Sequence, residues 1–510
     1  MENKLVDITV RMYRTGFGDC FLLFFNYKNE SKNKHLLIDF GAWKPEEFLQ
    51  EKGEKFHSLQ SIGESIKAVL KGKPIDAVVI THEHKDHLNG FKKAEKSFKN
   101  DTDKSGISFS EIWMSWIEDL SNDESKKLKE FKKTSQKVIV KAVSQLNFLG
   151  IGGSDGRVRL LNELLSFENG NEPNTENDKN IGQNQSAYEV VKKACDKKPS
   201  YYKPGNVIDA WDGVRFYVLG PPTDEFALYT DVSKKDGDLY LSASTLSEDE
   251  YSFLNANFND NVGINKEKWL KNAPFDEEFI ITEHRLDYDK GKTITLNDEP
   301  TSNEQPTMNN TIYNYLDEAN KWRRIDADWL GTAERLAIKL NSHTNNTSLV
   351  LAIEMIDADV VLLFPGDAQF GNWKSWGDVK FKIKESDGTN KIIKSEDLLK
   401  KAILYKAGHH ASHNATAKNE GLEKMKDSLK VTLIPVARKT ADGNNWPIPH
   451  KALLDRLESF PNHGVIMADF TQKEKTDFLK KMEHHKETIT CIFDEQNMFI
   501  DIKIANKKNP

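Results

Sequence analysis

The segment that most constrains this chain is Thr-His-Glu-His-Lys-Asp-His at positions 81–87. It directly follows the run 77–80, Ala-Val-Val-Ile, which is typical of a buried strand. The side chains of the segment that can bind a metal ion are His82, His84, Asp86 and His87. Imidazole suits zinc and similar ions, and a carboxylate can share the charge of two cations. This density of ligands favours a metal site over a solvated, histidine-rich loop.

The spacing of these side chains predicts how they divide between ions. Because a strand alternates its faces, His82 and His84 leave the strand end on one side and can contact a single ion. A helix that begins next re-aims Asp86 and His87 towards a second ion nearby. We therefore expect two divalent ions, zinc or manganese, at the end of this strand.

Five further segments, in a fixed order along the chain, carry a family resemblance. They are Gly-Phe-Gly-Asp at 16–19, Leu-Leu-Ile-Asp-Phe-Gly at 36–41, Asn-Asn-Thr-Ser-Leu-Val at 345–350, Leu-Leu-Phe-Pro-Gly-Asp-Ala at 362–368 and Lys-Ala-Gly-His-His-Ala-Ser-His at 406–413. With the histidine motif, this set resembles the metallo-β-lactamase fold hydrolases, in particular the metallo-β-lactamase domain of the DNA-uptake (competence) channel proteins. The resemblance implies an α/β fold, a four-layer αβ/βα metallo-β-lactamase sandwich, here with two long insertions.

The resemblance also implies roles for single residues. Asp367 corresponds to the carboxylate that bridges the two ions, and Asp39 takes the usual supporting position. Of the two adjacent histidines, we expect His409 to bind the metal and His410 to face the substrate. The expected metal ligands are therefore His82, His84, Asp86, His87, Asp367 and His409.

Two positions depart from the family pattern. His343 lies close to where the family has a third histidine on the first ion, but the register places an asparagine or a threonine there. The first ion then has only two histidines, Asp367 and water. Ala411 replaces a glycine, and alanine disfavours a backbone with positive φ.

The implied reaction is hydrolysis by a hydroxide that bridges the two ions, which lower the pKa of water from about 15.7 towards ~7. Because few ligands are anionic, the centre stays positive and favours an anionic phosphoester substrate, such as DNA, RNA or a nucleotide. The expected catalytic residues are Asp86, His410 and Lys406. The expected supporting or substrate-binding residues are Asp39, Asn346, Ser412, His413, Asn414, His343 and His450, the last being equally compatible with a packed histidine.

Composition limits the partners and the compartment. The 72 basic and 79 acidic residues give a net charge of −7, which argues against tight duplex binding driven by global charge. The three cysteines are far apart and fit a reducing compartment. No basic and apolar leader and no run of 18 apolar residues occur. We therefore expect a cytoplasmic protein that contacts no membrane.

Periodicity and composition predict five regions. These are the first half of the fold (1–120), a helical and low-complexity insertion (121–205), a core strand (206–222), a second insertion (223–335) and the second half of the fold (336–510). The second insertion is expected either to cap the cleft or to mediate self-association or partner binding.

Two polar segments of the first insertion have their own predictions. The lysine-rich run 127–133 favours a solvated helix face over a nucleic-acid patch. The segment 168–186 has almost no apolar residues and predicts a surface loop or disorder.

Together these features predict a metal-dependent phosphodiesterase or nuclease, with a role in bacterial defence as an analogy only. The alternatives are hydrolysis of a non-nucleic ester, amide or lactone, and a regulatory module with an idle metal site.

Overall fold

The computed structural model of the chain describes residues 4–43, 56–148, 161–162, 164–166, 168, 183–228, 329–384 and 388–507. The chain divides into two compact units. The first comprises Met1–Lys133, Asn162–Thr245 and Ile338–Pro510, and the second comprises Thr134–Leu161 and Leu246–Ala337. All strands and all site residues discussed below belong to the first unit.

The described strands form two large sheets and a hairpin. The strands are β1 (Leu5–Tyr13), β2 (Cys20–Tyr27), β3 (Lys34–Phe40), β4 (Ala77–Ile80), β5 (Ile112–Ser115), β6 (Ser200–Tyr202), β7 (Val207–Trp211), β8 (Val214–Gly220), β9 (Val350–Met355), β10 (Val360–Phe364), β11 (Lys380–Lys384), β12 (Asn390–Lys394), β13 (Ala402–Lys406), β14 (Val431–Ile434), β15 (Gly464–Met467), β16 (Ile489–Phe493) and β17 (Phe499–Ala505). The first sheet has the order β16-β17-β1-β2-β3-β4-β5-β6. The second has the order β15-β14-β13-β10-β9-β8-β7, and β11 pairs with β12.

Helices cover the outer faces of both sheets. The described α-helices are α1 (Leu59–Leu70), α2 (Lys85–Lys93), α3 (Asp123–Phe148), α4 (Gln183–Lys193), α5 (Glu225–Leu228), α6 (Trp329–Asn346), α7 (Phe370–Ser375), α8 (Ser395–Leu399), α9 (Glu423–Met425), α10 (Arg438–Gly443), α11 (Lys451–Glu458) and α12 (Gln472–Met482). None of them combines the length and the apolar character that crossing a bilayer requires.

The apolar core is layered between these elements. One cluster of buried side chains, which includes Phe21 and Leu351, fills the space between the two sheets. A second joins the first sheet to α1 and α2, and a third joins the second sheet to α10 and α11. Strand β4 is buried throughout, which explains its unbroken apolar run. The order of helix, sheet, sheet and helix confirms the predicted four-layer sandwich.

One local prediction was wrong. Gln183–Ser186 belong to helix α4 rather than to a polar loop, because the apolar residues that follow, Ala187 and Val191, lie one helical turn apart and are buried. Residues 169–182 of that predicted loop lie outside the described residues, as do 229–328 of the second predicted insertion.

The histidine motif lies where strand ends of the two sheets come close together. Strand β4 ends at Ile80, and in the second sheet the end of β10 pairs with the start of β9 through Phe364 and Leu351. The amide of Leu349, just before β9, donates to the carbonyl of Thr81, just after β4 (2.9 Å). This bond brings the histidine motif next to the segments before β9 and after β10.

Candidate metal centre

The histidine motif turns from β4 into helix α2. His84 is the N-cap of that helix, so Asp86 and His87 lie in its first turn. Each of the four metal-capable residues of the motif is exposed by 2% or less. Gly41 makes room for this turn, because a Cβ there would lie 2.4 Å from the carbonyl carbon of Asp86. Buried polar groups need partners, and these side chains can find them in neighbouring protein groups or in a bound ion.

The first two histidines face each other. Nε2 of His82 lies 3.0 Å from Nδ1 of His84. The other nitrogen of His82, Nδ1, lies 3.0 Å from the Thr81 hydroxyl oxygen, whose own proton goes to Asp39 Oδ2. The other nitrogen of His84, Nε2, donates to Glu168 Oε1 (2.9 Å). Because the ring protons lie on His82 Nδ1 and His84 Nε2, the two facing nitrogens carry lone pairs, which suits a shared cation.

A second group of ligands lies behind this pair. Ligand atoms of Asp19, His87, Asp367 and His410 all lie within 4.8 Å of one another. His87 directs Nδ1 to Asp39 Oδ2 (2.8 Å), and His410 directs Nδ1 to the carbonyl of Pro435 (2.5 Å). Both histidines therefore present Nε2 to the carboxylates, as metal-binding histidines do when a carboxylate or carbonyl holds the other nitrogen.

The unpaired atoms of this group suit a cation. Asp19 Oδ1, Asp86 Oδ1, His87 Nε2 and Asp367 Oδ2 make no hydrogen bond within the described residues, although all are buried. His87 Nε2 lies 3.1 Å from Asp367 Oδ2, and His410 Nε2 lies 3.0 Å from Asp86 Oδ2. Convergent, buried acceptors of imidazole and carboxylate type fit a divalent transition metal.

Protons take the place of the ions when no metal is bound. Burial lowers the pKa of His87, but Asp367 and three further aspartates outweigh burial and hold that pKa well above its ordinary value. Burial likewise lowers the pKa of His410, while its hydrogen bond to Asp86 and the charge of Asp367 raise it, with a net rise. Both histidines are thus stabilised as cations among the carboxylates.

We expect metal affinity to rise with pH for this reason. An ion that binds Nε2 of His87 or His410 displaces the proton held there, because only the neutral ring is a ligand. The apparent affinity therefore increases as pH rises through the raised pKa values and levels off above them. Isothermal titration calorimetry in buffers of different ionisation enthalpy measures the released protons. Metal uptake at pH 7 without proton release would contradict this assignment.

Lys406 pairs with carboxylates of the candidate metal centre rather than with a substrate. Its ammonium group contacts Asp19 Oδ2 (2.5 Å) and Asp367 Oδ1 (3.0 Å), and only 1% of the residue is exposed. Burial opposes the charge, but the two carboxylates raise the pKa of Lys406 above its ordinary value. The geometry therefore favours a neutralising role over the catalytic, phosphate-holding role expected from the sequence.

The positions of His409 and His410 favour the reverse of the expected assignment. His410 reaches the carboxylates, whereas the His409 ring lies near Ser412 Oγ (2.9 Å), Gln369 Nε2 (3.4 Å) and Asn345 Nδ2 (3.5 Å). The reason is a left-handed turn, in which His409 and His410 have φ of 42° and 53°. Burial lowers the pKa of His409 to about 4, so its ring is neutral.

The same turn contains Ala411, with φ of 65°. An L-residue pays about 1–2 kcal/mol in this region, whereas glycine does not. We expect Ala411→Gly to be neutral or to raise the free energy of unfolding by up to ~1 kcal/mol, because the lost methyl group offsets part of the gain. The matched control is Ala407→Gly, since Ala407 is equally buried but has φ of −64°.

Chemical denaturation of both variants measures this difference. Ala407→Gly should lower stability, and Ala411→Gly should lie about 1–2 kcal/mol above it. Equal losses in the two variants would show that the backbone of Ala411 is not strained.

His343 and Asn346 contact groups other than the predicted ligands. His343 lines a small cavity with Glu83, Leu128 and Lys132, and burial lowers its pKa to about 3. Asn346 accepts from the amide of Gln369 (3.0 Å) and donates to the carbonyl of Leu228 (3.1 Å). Asn346 thus orders the segment that follows Asp367.

The remaining predicted residues lie in the loop that follows the turn 408–411, except His450, which lies at the start of α11. Ser412 Oγ donates to Asn414 Oδ1 (3.0 Å), and the rings of His413 and His450 lie 6.2 Å apart. His450 is the N-cap of α11, and its amide donates to the carbonyl of Ala411 (2.8 Å). This loop borders the turn that carries His409.

Sequence reasoning missed two acidic residues of the centre. Asp19 was part of a recognised Gly-Phe-Gly-Asp turn, and its place directly after the two glycines of that turn was a usable signal for a ligand. Glu168 begins a polar segment without local features, so nothing in the sequence linked it to His84.

Residues 14–158 match the family model of the metallo-beta-lactamase superfamily. The superfamily consists largely of hydrolytic enzymes and typically binds divalent metals. The solved structures that match include a beta-lactamase domain protein from Burkholderia ambifaria, at 12% identity and a TM-score of 0.20. That match covers 42% of this chain and 44% of the other, so the chain spans less than half of that protein. No curated protein matches.

Proposed function

We propose that the chain is a metal-dependent phosphodiesterase, most simply a nuclease or a nucleotide hydrolase. The observation that supports this is the convergence of buried imidazole and carboxylate acceptors in two adjoining groups, His82 with His84 and His87 with His410, around Asp367. Divalent ions bound there supply Lewis-acid activation of water and of a phosphoryl oxygen.

The charge of the loaded centre favours an anionic substrate. Its carboxylates are Asp19, Asp39, Asp86, Asp367 and Glu168; Lys406 offsets one of them, and Lys132 offsets Glu168. Two divalent ions exceed the three remaining negative charges, so the centre carries net positive charge. A phosphodiester complements this charge better than a neutral ester or lactone does.

Neutral polar groups beside the centre can orient the substrate. Nε2 of Gln369 and Nδ2 of Asn345 surround the His409 ring, and Ser412 adds a hydroxyl group. The two amide groups can donate to a phosphoryl oxygen, and because the His409 ring is neutral it adds no charge. The burial of these groups excludes bulk water, which strengthens such contacts.

A substrate panel with Mn²⁺ or Zn²⁺ tests the proposal. We expect turnover of bis-p-nitrophenyl phosphate and of at least one of single-stranded DNA, duplex DNA or RNA, and none of a lactone. Removal of metal by a chelator should abolish turnover, and added Mn²⁺ should restore it. Hydrolysis of the lactone alone, or no hydrolysis by protein shown to hold metal, would contradict the proposal.

A further inference from the structure

Helix α3 is joined to the histidine motif by buried and half-buried charged groups. Lys129 Nζ lies 2.7 Å from both Glu83 Oε2 and Glu118 Oε2. Lys132 Nζ lies 2.8 Å from Glu168 Oε2 and 3.4 Å from Glu83 Oε2. Glu83 occupies the position between the two histidines of the first pair. The two lysines lie on successive turns of α3, and their ion pairs therefore join this helix to the histidine motif.

This network corrects the interpretation of the lysine-rich run. Lys127 and Lys133 are exposed, but Lys132 is buried and Lys129 is half-buried. The two inward lysines pair with carboxylates, so they form neither a solvated face nor a nucleic-acid patch. Their spacing of three residues places them on one side of the helix.

Glu168 is the member of the network that touches a predicted ligand. Its Oε1 accepts from His84 Nε2 (2.9 Å), and its Oε2 accepts from the Thr344 hydroxyl group (3.1 Å) and pairs with Lys132. Asn184 Nδ2 donates to the backbone carbonyls of both Glu168 (3.0 Å) and Glu83 (2.7 Å). Only 5% of Glu168 is exposed, and both of its oxygens are held by protein groups.

These contacts fix how His84 meets an ion. The bond to Glu168 keeps the proton of His84 on Nε2, leaves Nδ1 as the ligand atom and makes that atom more basic. We propose that Glu168 is the positioning residue of His84, and that helix α3 thereby sets how tightly the first ion is held. This inference rests on the metal-binding part of the proposed function.

The effect is confined to the first ion. His87 is held by Asp39 and His410 by Pro435, and neither contacts Glu168 in the described residues. The first pair consists of two imidazoles, and Asn346 contacts the backbone of Gln369 and Leu228. A site with fewer ligands depends more strongly on the orientation of each one.

Titration of the metal-free full-length protein with Mn²⁺, followed by calorimetry and electron paramagnetic resonance, tests the inference. Wild-type protein should bind two ions and give the spectrum of an exchange-coupled pair. Glu168→Ala should weaken one of the two affinities by about 10–100-fold and give the spectrum of an isolated ion at limiting metal. In Glu168→Gln the amide oxygen still accepts from His84 while the charge is lost, so its metal affinity should lie between those of the wild type and Glu168→Ala. This variant keeps the test decisive if the alanine variant misfolds.

The matched control is Glu189→Gln on α4, where Glu189 is exposed and, among the described residues, pairs with Gln185 and Lys192 of the same helix. Wild-type affinities and a coupled spectrum in both Glu168 variants would overturn the inference. Two tightly bound ions without phosphodiester hydrolysis would leave the inference standing and refute the proposed reaction. A wild-type protein that binds no ion would refute both.

Discussion

Asp367→Asn is expected to lower phosphodiester hydrolysis by at least ~10³-fold and to remove bound metal, with the fold retained. The carboxylate has two distinct sides. Oδ1 accepts from Lys406 Nζ and from the amide of His409, both at 3.0 Å, while Oδ2 faces His87 and His410 without a hydrogen bond. In the asparagine variant, the amide oxygen can keep the contacts that Oδ1 makes with Lys406 and with the amide of His409. On the second side the asparagine presents N–H donors, which cannot bind a cation.

We expect the fold to be retained because the buried charges that remain are still paired. Lys406 still pairs with Asp19, so no buried cation is left alone in the variant. The matched control is Asp359→Asn, since Asp359 is exposed just before β10 and has the positive φ (55°) that asparagine tolerates. Metal content by mass spectrometry and initial rates measure both variants. Full activity and full metal content in Asp367→Asn would refute the role of this residue.

His410→Ala and His409→Ala are expected to differ in metal binding. Both histidines have left-handed backbones, so alanine carries a similar conformational cost in either position. His410 presents Nε2 to Asp86 at 3.0 Å, and removal of this ligand should weaken metal affinity by more than ~100-fold. His409 lies among Ser412, Gln369 and Asn345, so His409→Ala should keep both ions and lose hydrolytic rate instead.

Calorimetric titration with Zn²⁺ and steady-state kinetics separate the two effects. The expected pattern is metal loss in His410→Ala and a kinetic defect with unchanged metal affinity in His409→Ala. The opposite pattern would restore the assignment implied by the family resemblance and would mean that the left-handed turn rearranges when metal binds.

Features that repeat along the chain were predictable. The alternation of faces in a strand put His82 and His84 on one side of the end of β4, and their rings do face each other. The family resemblance placed Asp367 at the histidine motif, and Asp367 does lie near His87, although the two residues lie in opposite halves of the chain. The same resemblance implied the four-layer sandwich, and the apolar run 77–80 predicted strand β4.

Features set by a single turn or by a distant polar contact were not predictable. The order of His409 and His410 depends on three consecutive left-handed residues, of which none is glycine. The role of Lys406 depends on Asp19, which comes from a different sheet. Glu168 reaches His84 from a polar segment whose composition suggested disorder. Periodicity carries no information on such pairings, because each depends on tertiary packing.

Anomalous X-ray scattering from crystals of the Zn²⁺-loaded protein, collected at the zinc absorption edge, is the most direct test of the two-ion centre. We predict two peaks, one contacted by His82 Nε2 and His84 Nδ1 and the other by His87 Nε2, His410 Nε2 and Asp86, with the Asp367 carboxylate adjoining both. A map without a peak at these residues, or an Asp367 side chain turned away from the histidines, would contradict the account.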